Sequence, residues 1–520
     1  MRIAHSVFVA SLFALILPLL QAADYQQTVL SVPPREKRVA IIGGGAAGTS
    51  AAYWLKNAFP ATAKSGVRVS TTLYERNDYL GGRSTVIPIK DDPELGLFEL
   101  GASIFIERNF NLANATKRFG LNLTGLTEEL PFERGLGIWD GKDFLFEETG
   151  NKYWDMAKLL WRYGYSLIRF NNHLESIISR FADLVYHGKD DVSPFYEVDT
   201  ALGQFGLETL LNETSSDYLE KRHGYSELFV RELIQTATRA NYGQDVQLLH
   251  SFGALVSMAA SGAWATEGGN YQIFEQFAYR SGAEIKLGST VVSIHNTTEV
   301  DESGHYVKSY VVTTEDGVDA VYDAVLLASP MHLAGIDMPF PNAQHAPREY
   351  HTVHVTVIAG VIDPSYFGRT AETMPTLIVT TGDPLTSNFE NGEQPFTTFG
   401  IHKYFDDSGE SVVKMFSSKP MSESELDKLF TSRSWTYRKA WEAFPKLFPI
   451  VEAKEWPPVV LHGFDDDSNN GVLYVNAFES CISTMETETL ASKNAIRILR
   501  EQWCQDTSCV FFGDGWGDSM

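Results

Sequence analysis

Arg38-Val-Ala-Ile-Ile42 runs directly into Gly43-Gly44-Gly45-Ala46-Ala47-Gly48 and then into the helix-forming stretch Thr49 to Asn57. A short β-branched run entering glycines reads as a strand buried in a parallel sheet. The order strand, glycine turn, helix is that of a dinucleotide-binding βαβ unit. In such a unit Gly43 permits the tight turn, Gly45 lets the backbone approach a pyrophosphate, and Gly48 lets the helix pack on the strand. The phosphates sit at the helix N-terminus, where unpaired N–H groups and the helix dipole favour anions. A second strand, Val67 to Tyr74, ends at Glu75, whose carboxylate is placed to accept hydrogen bonds from ribose hydroxyls.

Working outward, Gly81-Gly82-Arg83-Ser84 follows the acidic residue closely. An NAD dehydrogenase normally continues there into an ordinary helix. Glycine followed by arginine instead resembles the flavin oxidases of the amine-oxidase type, which implies that backbone amides and the Arg83 guanidinium meet the pyrophosphate of FAD. Farther on, Ala283 to Ile294, Tyr310 to Thr314 and Tyr322 to Pro330 form strands separated by turns. In the amine-oxidase layout the residue at Val291 packs on the adenine and the strand Val325 to Ala328 returns to the nucleotide sheet; plain core packing accounts for Val291 equally well.

Between these pieces the character of the chain changes. Residues 106–262 carry long amphipathic stretches, Tyr153 to Phe181 and Ser226 to Ala240, interleaved with Trp154, Trp161, Phe170 and Phe181. Residues 336–455 alternate aromatic and β-branched runs with turns, as in Val353 to Ile358 and Thr376 to Thr380. The expected fold is α/β, a Rossmann-type FAD-binding domain of amine-oxidase architecture interrupted by a mixed α+β substrate domain. Its predicted division is a signal peptide at 1–22, FAD-binding segments at 36–105, 263–335 and 456–503, a helical substrate segment at 106–262, a sheet segment at 336–455, and a tail at 504–520.

The 520 residues are 44% hydrophobic and 21% charged, an ordinary globular composition. With 66 acidic against 42 basic residues the formal charge is −24, which works against nucleic acid or an anionic membrane as a partner. Arg2, the apolar run Val7 to Leu20 and the small residues Ala22 and Ala23 read as a cleaved signal peptide. No later stretch reaches membrane-spanning length, so the mature protein is expected to be soluble. Secretory entry gives meaning to the sequons at Asn114, Asn122, Asn212 and Asn296, each expected on an exposed loop. The expected location is the secretory pathway, either the lumen of a lysosome or vacuole or the outside of the cell. Of three cysteines, Cys504 and Cys509 close a short loop and are the expected pair, which leaves Cys481 as a small buried hydrophobe. No metal-binding spacing is present, and oligomeric state is not legible.

Several segments together resemble prenylcysteine oxidases, also called prenylcysteine lyases, from about Arg38 to Trp503. They are Phe98-Glu-Leu-Gly101-Ala-Ser103-Ile104 leading to Asn109 to Leu112, Arg239-Ala-Asn241-Tyr-Gly-Gln244, Gly262-Ala-Trp264-Ala-Thr-Glu267-Gly-Gly-Asn270, Tyr350-His-Thr-Val before Asp363-Pro-Ser-Tyr-Phe367, and Tyr474 to Glu486. The family carries a glycine where Phe478 stands before Glu479, and a His-Pro after the position of Ile104, where this chain has Phe105-Ile106-Glu107. Both departures fall where a flavin or substrate wall is expected and put the substrate in question more than the fold.

The resemblance implies FAD as cofactor, with prenylcysteine and molecular oxygen as reactants. A hydride leaves the allylic carbon attached to sulfur in farnesyl- or geranylgeranyl-cysteine, water attacks that carbon, and the adduct collapses to prenyl aldehyde and cysteine while oxygen becomes hydrogen peroxide. The aromatics of 151–262 would line an isoprenoid slot or form an ordinary helical core. No catalytic residue is assigned; Glu267 is the carboxylate to test first, with helix-start capping as its other reading. Ser483-Thr484-Met485-Glu486-Thr487 opens a helix to Trp503 whose first amides would face the flavin N1 and O2, which adds Met485 and Glu486 to the cofactor set. The alternatives are a secreted FAD oxidase of the same fold acting on another thioether or an amine, and a non-enzymatic lipid- or protein-binding module.

Overall fold

The computed structural model describes residues 35–60, 67–125, 135–186, 193–259, 262–300, 304–344, 348–382, 394–462, 471–504, 509 and 512–517. The predicted signal peptide lies outside them. Arg35–Ile42 forms the expected strand, with Val39, Ala40 and Ile41 fully buried, and it stands near the middle of a six-stranded sheet. The strand order is Val460–Leu461, Val472–Tyr474, Ala324–Leu327, Arg35–Ile42, Val67–Tyr74 and Glu284–Lys286. All neighbours are parallel except the first pair. The register sets Lys286, Tyr74, Ile42, Leu327 and Tyr474 in one row, so five strands end together along one edge. In a parallel sheet ligands bind outside this carboxyl edge, where the connecting loops converge.

The helix Ala46–Ala58 packs on this sheet between Tyr271–Ser281 and the C-terminal helix Met485–Trp503. Its Trp54 is fully buried and meets Phe277 and Trp516 edge to face. The tail reaches this cluster past a disulfide between Cys504 and Cys509, while Cys481 is free and buried. Val291–Val300, Tyr306–Thr314 and Asp319–Tyr322 form a separate antiparallel sheet before the chain returns at Ala324.

The second large sheet has seven strands in the order Phe430–Pro445, Tyr350–Ile362, Glu410–Ser417, Thr398–Phe405, Leu377–Thr380, Leu136–Trp139 and Phe144–Glu147. Its last two strands come from the segment read as helical. Leu136–Trp139 joins Leu377–Thr380 in parallel, so the first insert lends a hairpin to the sheet built by the second. Around that hairpin the insert is helical, and the stretch Tyr153 to Phe181 is two helices, Lys152–Tyr163 and Tyr165–Tyr186, broken at Gly164. Trp154 and Trp161 are exposed and so do not line an interior slot, whereas Phe170 is buried. No helix of the described residues is long and apolar enough to cross a membrane. All four sequon asparagines are exposed.

Candidate active site

The glycine loop lies at the carboxyl edge of the parallel sheet. Gly43 takes φ 116°, its N–H donates to the Tyr74 carbonyl at 2.8 Å, and a Cβ on it would stand 2.4 Å from the Ala328 oxygen. At Gly48 a Cβ would stand 1.8 Å from the Gly43 oxygen, so only glycine lets the helix start this close to the strand. Gly45 differs: a Cβ there would meet nothing nearer than 3.9 Å, in Gly81 and Gly82. The turn is therefore tight against the protein on one side and open on the side where helix N–H groups lack intrahelical partners. That arrangement fits a pyrophosphate.

Glu75 is buried and accepts from the Gly44 N–H at 2.6 Å and from the Asn77 N–H at 2.8 Å. Oε1 also accepts from the Asn77 side-chain amide at 2.7 Å, which leaves Oε2 with acceptor capacity for a ribose hydroxyl. Gly81 N–H donates to the Gly44 carbonyl at 2.9 Å, which lays Gly82, at φ 60°, against Gly45. The Ser289 N–H donates to the Glu75 carbonyl at 2.9 Å and brings the segment leading to Val291 to the same edge. Val291 itself is buried at the start of its strand, opposite Thr314. The structure thus gathers Gly43, Gly45, Gly48, Glu75, Gly82 and the approach to Val291.

Arg83 leaves this cradle toward a second cluster. Its guanidinium ion-pairs with Glu479 and donates to the Ala443 carbonyl at 2.6 Å. Glu479 is fully buried and also accepts from the Tyr350 hydroxyl and, at 3.3 Å, from Ser483. Burial, and then the neighbouring Glu479, push the Glu488 carboxyl well above the usual carboxylate range, which favours its neutral form. Asn476 donates to Glu488 at 2.9 Å, while its own oxygen is buried without a hydrogen-bond partner. An orphaned acceptor beside a cradle of amides suits a ligand rich in hydroxyls and N–H groups, as a flavin dinucleotide is. A small cavity lined by Met331, His332, Arg348, Tyr350, Tyr474 and Asn476 adjoins this cluster.

Met485 and Glu486 open the C-terminal helix behind a capping box of Thr484 and Thr487. The Glu486 carboxylate is committed elsewhere: it accepts from the N–H groups of Asn111 at 2.9 Å and Leu112 at 3.0 Å, capping the helix Phe110–Phe119. Any part it has at a cofactor falls to its backbone. Met485 is partly buried against the main core. Glu267 is exposed on a turn and accepts from Asn122 at 3.2 Å. The departing residue Phe105 is buried and pairs its backbone with Trp264 at 3.0 and 2.7 Å, and Phe478 packs against Phe181 and Phe195.

A third group has no counterpart in the expected site residues. Lys414, buried in the middle of the seven-stranded sheet, donates to the Glu99 carbonyl at 2.9 Å and to the Ser103 hydroxyl at 2.8 Å. The Glu99 carboxylate accepts from the Asn270 N–H at 2.9 Å and from Ser84 at 3.3 Å. Burial raises the proton affinity of Glu99 and lowers that of Lys414, drawing the two toward neutrality. The sequence signal is a lone lysine inside Val412-Val-Lys-Met-Phe416, a charge in an otherwise apolar strand.

The fold and cradle define a protein with a dinucleotide-binding domain of amine-oxidase architecture. Solved structures share that fold: putrescine oxidase bound to putrescine superposes with a TM-score of 0.56 at 13% identity, and cyclohexylamine oxidase from Brevibacterium oxydans with 0.56 at 14%, each over 90% of this chain and 99% of the other. The profile of NAD(P)-binding Rossmann-like domains matches residues 41–119, and that of prenylcysteine lyase matches residues 146–510. Farnesylcysteine lyase of Arabidopsis thaliana is 30% identical over 95% of this chain and 94% of its own. Prenylcysteine oxidase 1 of Homo sapiens is 28% identical over 96% of each. The chain belongs to the prenylcysteine lyase family.

Breaking a buried ion pair leaves an uncompensated charge and costs about 3–5 kcal/mol. Arg83→Ala is therefore expected to lower the thermal midpoint and weaken cofactor retention together, and adding Glu479→Gln is expected to recover part of the loss; a double variant no better than the single contradicts the pairing.

His250, fully buried, accepts from the Gly253 N–H at 3.2 Å, and burial followed by the charge of Arg348 pushes its pKa down to about 3. A folded-state pKa below the unfolded value of about 6.5 gives stability that is present above pH 6.5 and is lost as pH falls toward 3. The loss is about 1.4 kcal/mol per pH unit for such a group. His250→Asn retains a capping acceptor but does not titrate, so its stability is expected to fall less steeply from pH 6.5 to 4.5 in denaturant melts; an unchanged slope refutes this role.

Proposed function

We propose that this protein is an FAD-dependent oxidase that cleaves the thioether of farnesyl- or geranylgeranyl-cysteine. The observation that carries the reading is the full-length likeness to farnesylcysteine lyase, together with a glycine cradle that keeps every element needed for a dinucleotide. Bound FAD supplies the oxidant for the carbon next to sulfur and passes the electrons to oxygen. One water and one oxygen molecule are consumed per bond broken: the carbon–sulfur bond opens, the carbon leaves as an aldehyde, the sulfur takes a proton as a thiol, and oxygen leaves as hydrogen peroxide.

The residues of this chain hold, orient and manage protons. Amides of the glycine loop and of the following helix hold the pyrophosphate, Glu75 takes ribose hydroxyls, and Arg83 shares its guanidinium between Glu479 and the phosphates. Asn476 offers its unpartnered oxygen to the cofactor. Lys414 and Glu99, each with its proton affinity drawn toward neutrality, are the described pair best suited to exchange a proton as water adds and the thiol departs. A lumenal or extracellular setting is supported by the disulfide and by the exposure of all four sequon asparagines.

Flavin-loaded protein given farnesylcysteine in air is expected to release farnesal and free cysteine in equal amounts with hydrogen peroxide, read by mass spectrometry and thiol titration. Turnover of amines without turnover of the thioether would overturn the substrate assignment.

A further inference from the structure

The corner between Lys152–Tyr163 and Tyr165–Tyr186 takes no part in the cofactor cradle. The two helices turn at Gly164, whose φ of 58° suits glycine. Their inner sides bury Tyr163, Phe170, Leu174 and Ile177. Their outer sides present Tyr153 at 92% exposure, Trp154 at 59%, Trp161 at 89% and Tyr165 at 70%, with Met156 and Ile168 half exposed beside them. These are the two exposed tryptophans among the described residues. Trp154 and Trp161 share one helix face by their spacing. Large rings left standing in water at this density along one short stretch point to an interaction surface.

Unpaired acid is scarce around the rings: Glu175, farther along the second helix, pairs with Arg108, and Glu227, next to the Ser226 that bonds Ser166, pairs with Arg231. The protein carries a formal charge of −24, yet from Lys152 to Asn172 the exposed residues include no carboxylate. Asp155, the acid in this stretch, is buried and receives the Thr149 N–H and Lys158. Arg162 turns inward to Glu232. Lys152 is exposed with no carboxylate partner among the described residues, and Arg169 meets the His223 carbonyl and the Tyr225 ring, with no acid. None of the four sequons falls on either helix, so a glycan attached at those sites would not be rooted on this face.

We propose that this helical corner docks the protein on a bilayer surface containing anionic lipid, with the rings of Tyr153, Trp154, Trp161 and Tyr165 in the headgroup boundary and Lys152 beside the phosphates. Tryptophan and tyrosine combine an apolar body with a polar tip and concentrate at that boundary, and a basic rim on an in-plane amphipathic helix supplies the attraction to anionic headgroups. A protein partner would need a matching pocket for each protruding ring, whereas a fluid interface accepts rings at any spacing. Docking rests on surface residues alone and requires neither cofactor nor substrate, so it stands or falls apart from the proposed activity.

The test is co-sedimentation of the full mature protein with vesicles of phosphatidylcholine alone and of phosphatidylcholine mixed with phosphatidylserine, with tryptophan emission recorded in parallel. Wild type is expected to bind the mixed vesicles with a blue-shifted emission. The W154S/W161S double variant is expected to bind at least about tenfold more weakly with an unchanged thermal midpoint, since two rings no longer leave water. Lys152→Glu is expected to weaken binding to mixed vesicles more than to neutral ones. Tyr306→Ser, at another site 82% exposed, is expected to change nothing. Absence of binding to either vesicle, equal binding by the double variant, or a wild-type dimer that the double variant abolishes would overturn the proposal, the last by assigning the face to a second copy of the chain.

Discussion

A single buried carboxylate, Glu479, stands where three distant parts of the chain must meet. Arg83 reaches it from the loop that lies against Gly45, Tyr350 from one strand of the seven-stranded sheet, and Ser483 from the entry to the C-terminal helix. The same guanidinium bonds the Ala443 carbonyl in the neighbouring strand. A carboxylate with no exposure to water requires these donors, and the donors fix the nucleotide sheet, the second sheet and the last helix in one arrangement. Burial and Glu479 itself favour the neutral form of the neighbouring Glu488, which limits the negative charge of the cluster. The glycine turn is set by close backbone contacts, Gly48 against Gly43 and Gly43 against Ala328, and this ion pair ties it to the second sheet and the last helix.

The parts legible in the sequence are those governed by local stereochemistry. Gly43 and Gly48 are needed because backbone passes within a Cβ of them, and a buried parallel strand announces itself as a β-branched run entering glycines. The interruption of one sheet by another was legible from changes of periodicity. What escaped depends on contacts across long separations. Lys414 meets Glu99 across 315 residues, and no periodicity connects them. Leu136–Trp139 is four residues of ordinary strand that only its parallel partner Leu377–Thr380 locates in the second sheet. Glu486 sits at a helix start, as a dipole argument expects, but serves the first turn of a different helix, Phe110–Phe119. Amphipathic spacing marked Tyr153 to Phe181 as helical but showed neither the break at Gly164 nor that Trp154 and Trp161 face outward.

These placements divide the labour of the molecule. Backbone amides and Glu75 form a cradle at the carboxyl edge of one sheet. The long strands of the other sheet bring Lys414 and Tyr350 to the junction, and the helical insert covers the Phe478 side while presenting an aromatic corner outward. Phe105 and Phe478, the positions read from the sequence as departures, are both buried against aromatic partners and lie outside the glycine cradle.

The central claim is that the cradle holds FAD in contact with a prenylcysteine thioether. The most direct measurement is the visible spectrum of the FAD-loaded protein under anaerobic titration with farnesylcysteine. The account requires flavin absorbance that survives gel filtration and bleaches to completion near one equivalent of thioether, returning when air is admitted. A protein that retains no flavin, or retains flavin that farnesylcysteine does not bleach, would contradict it.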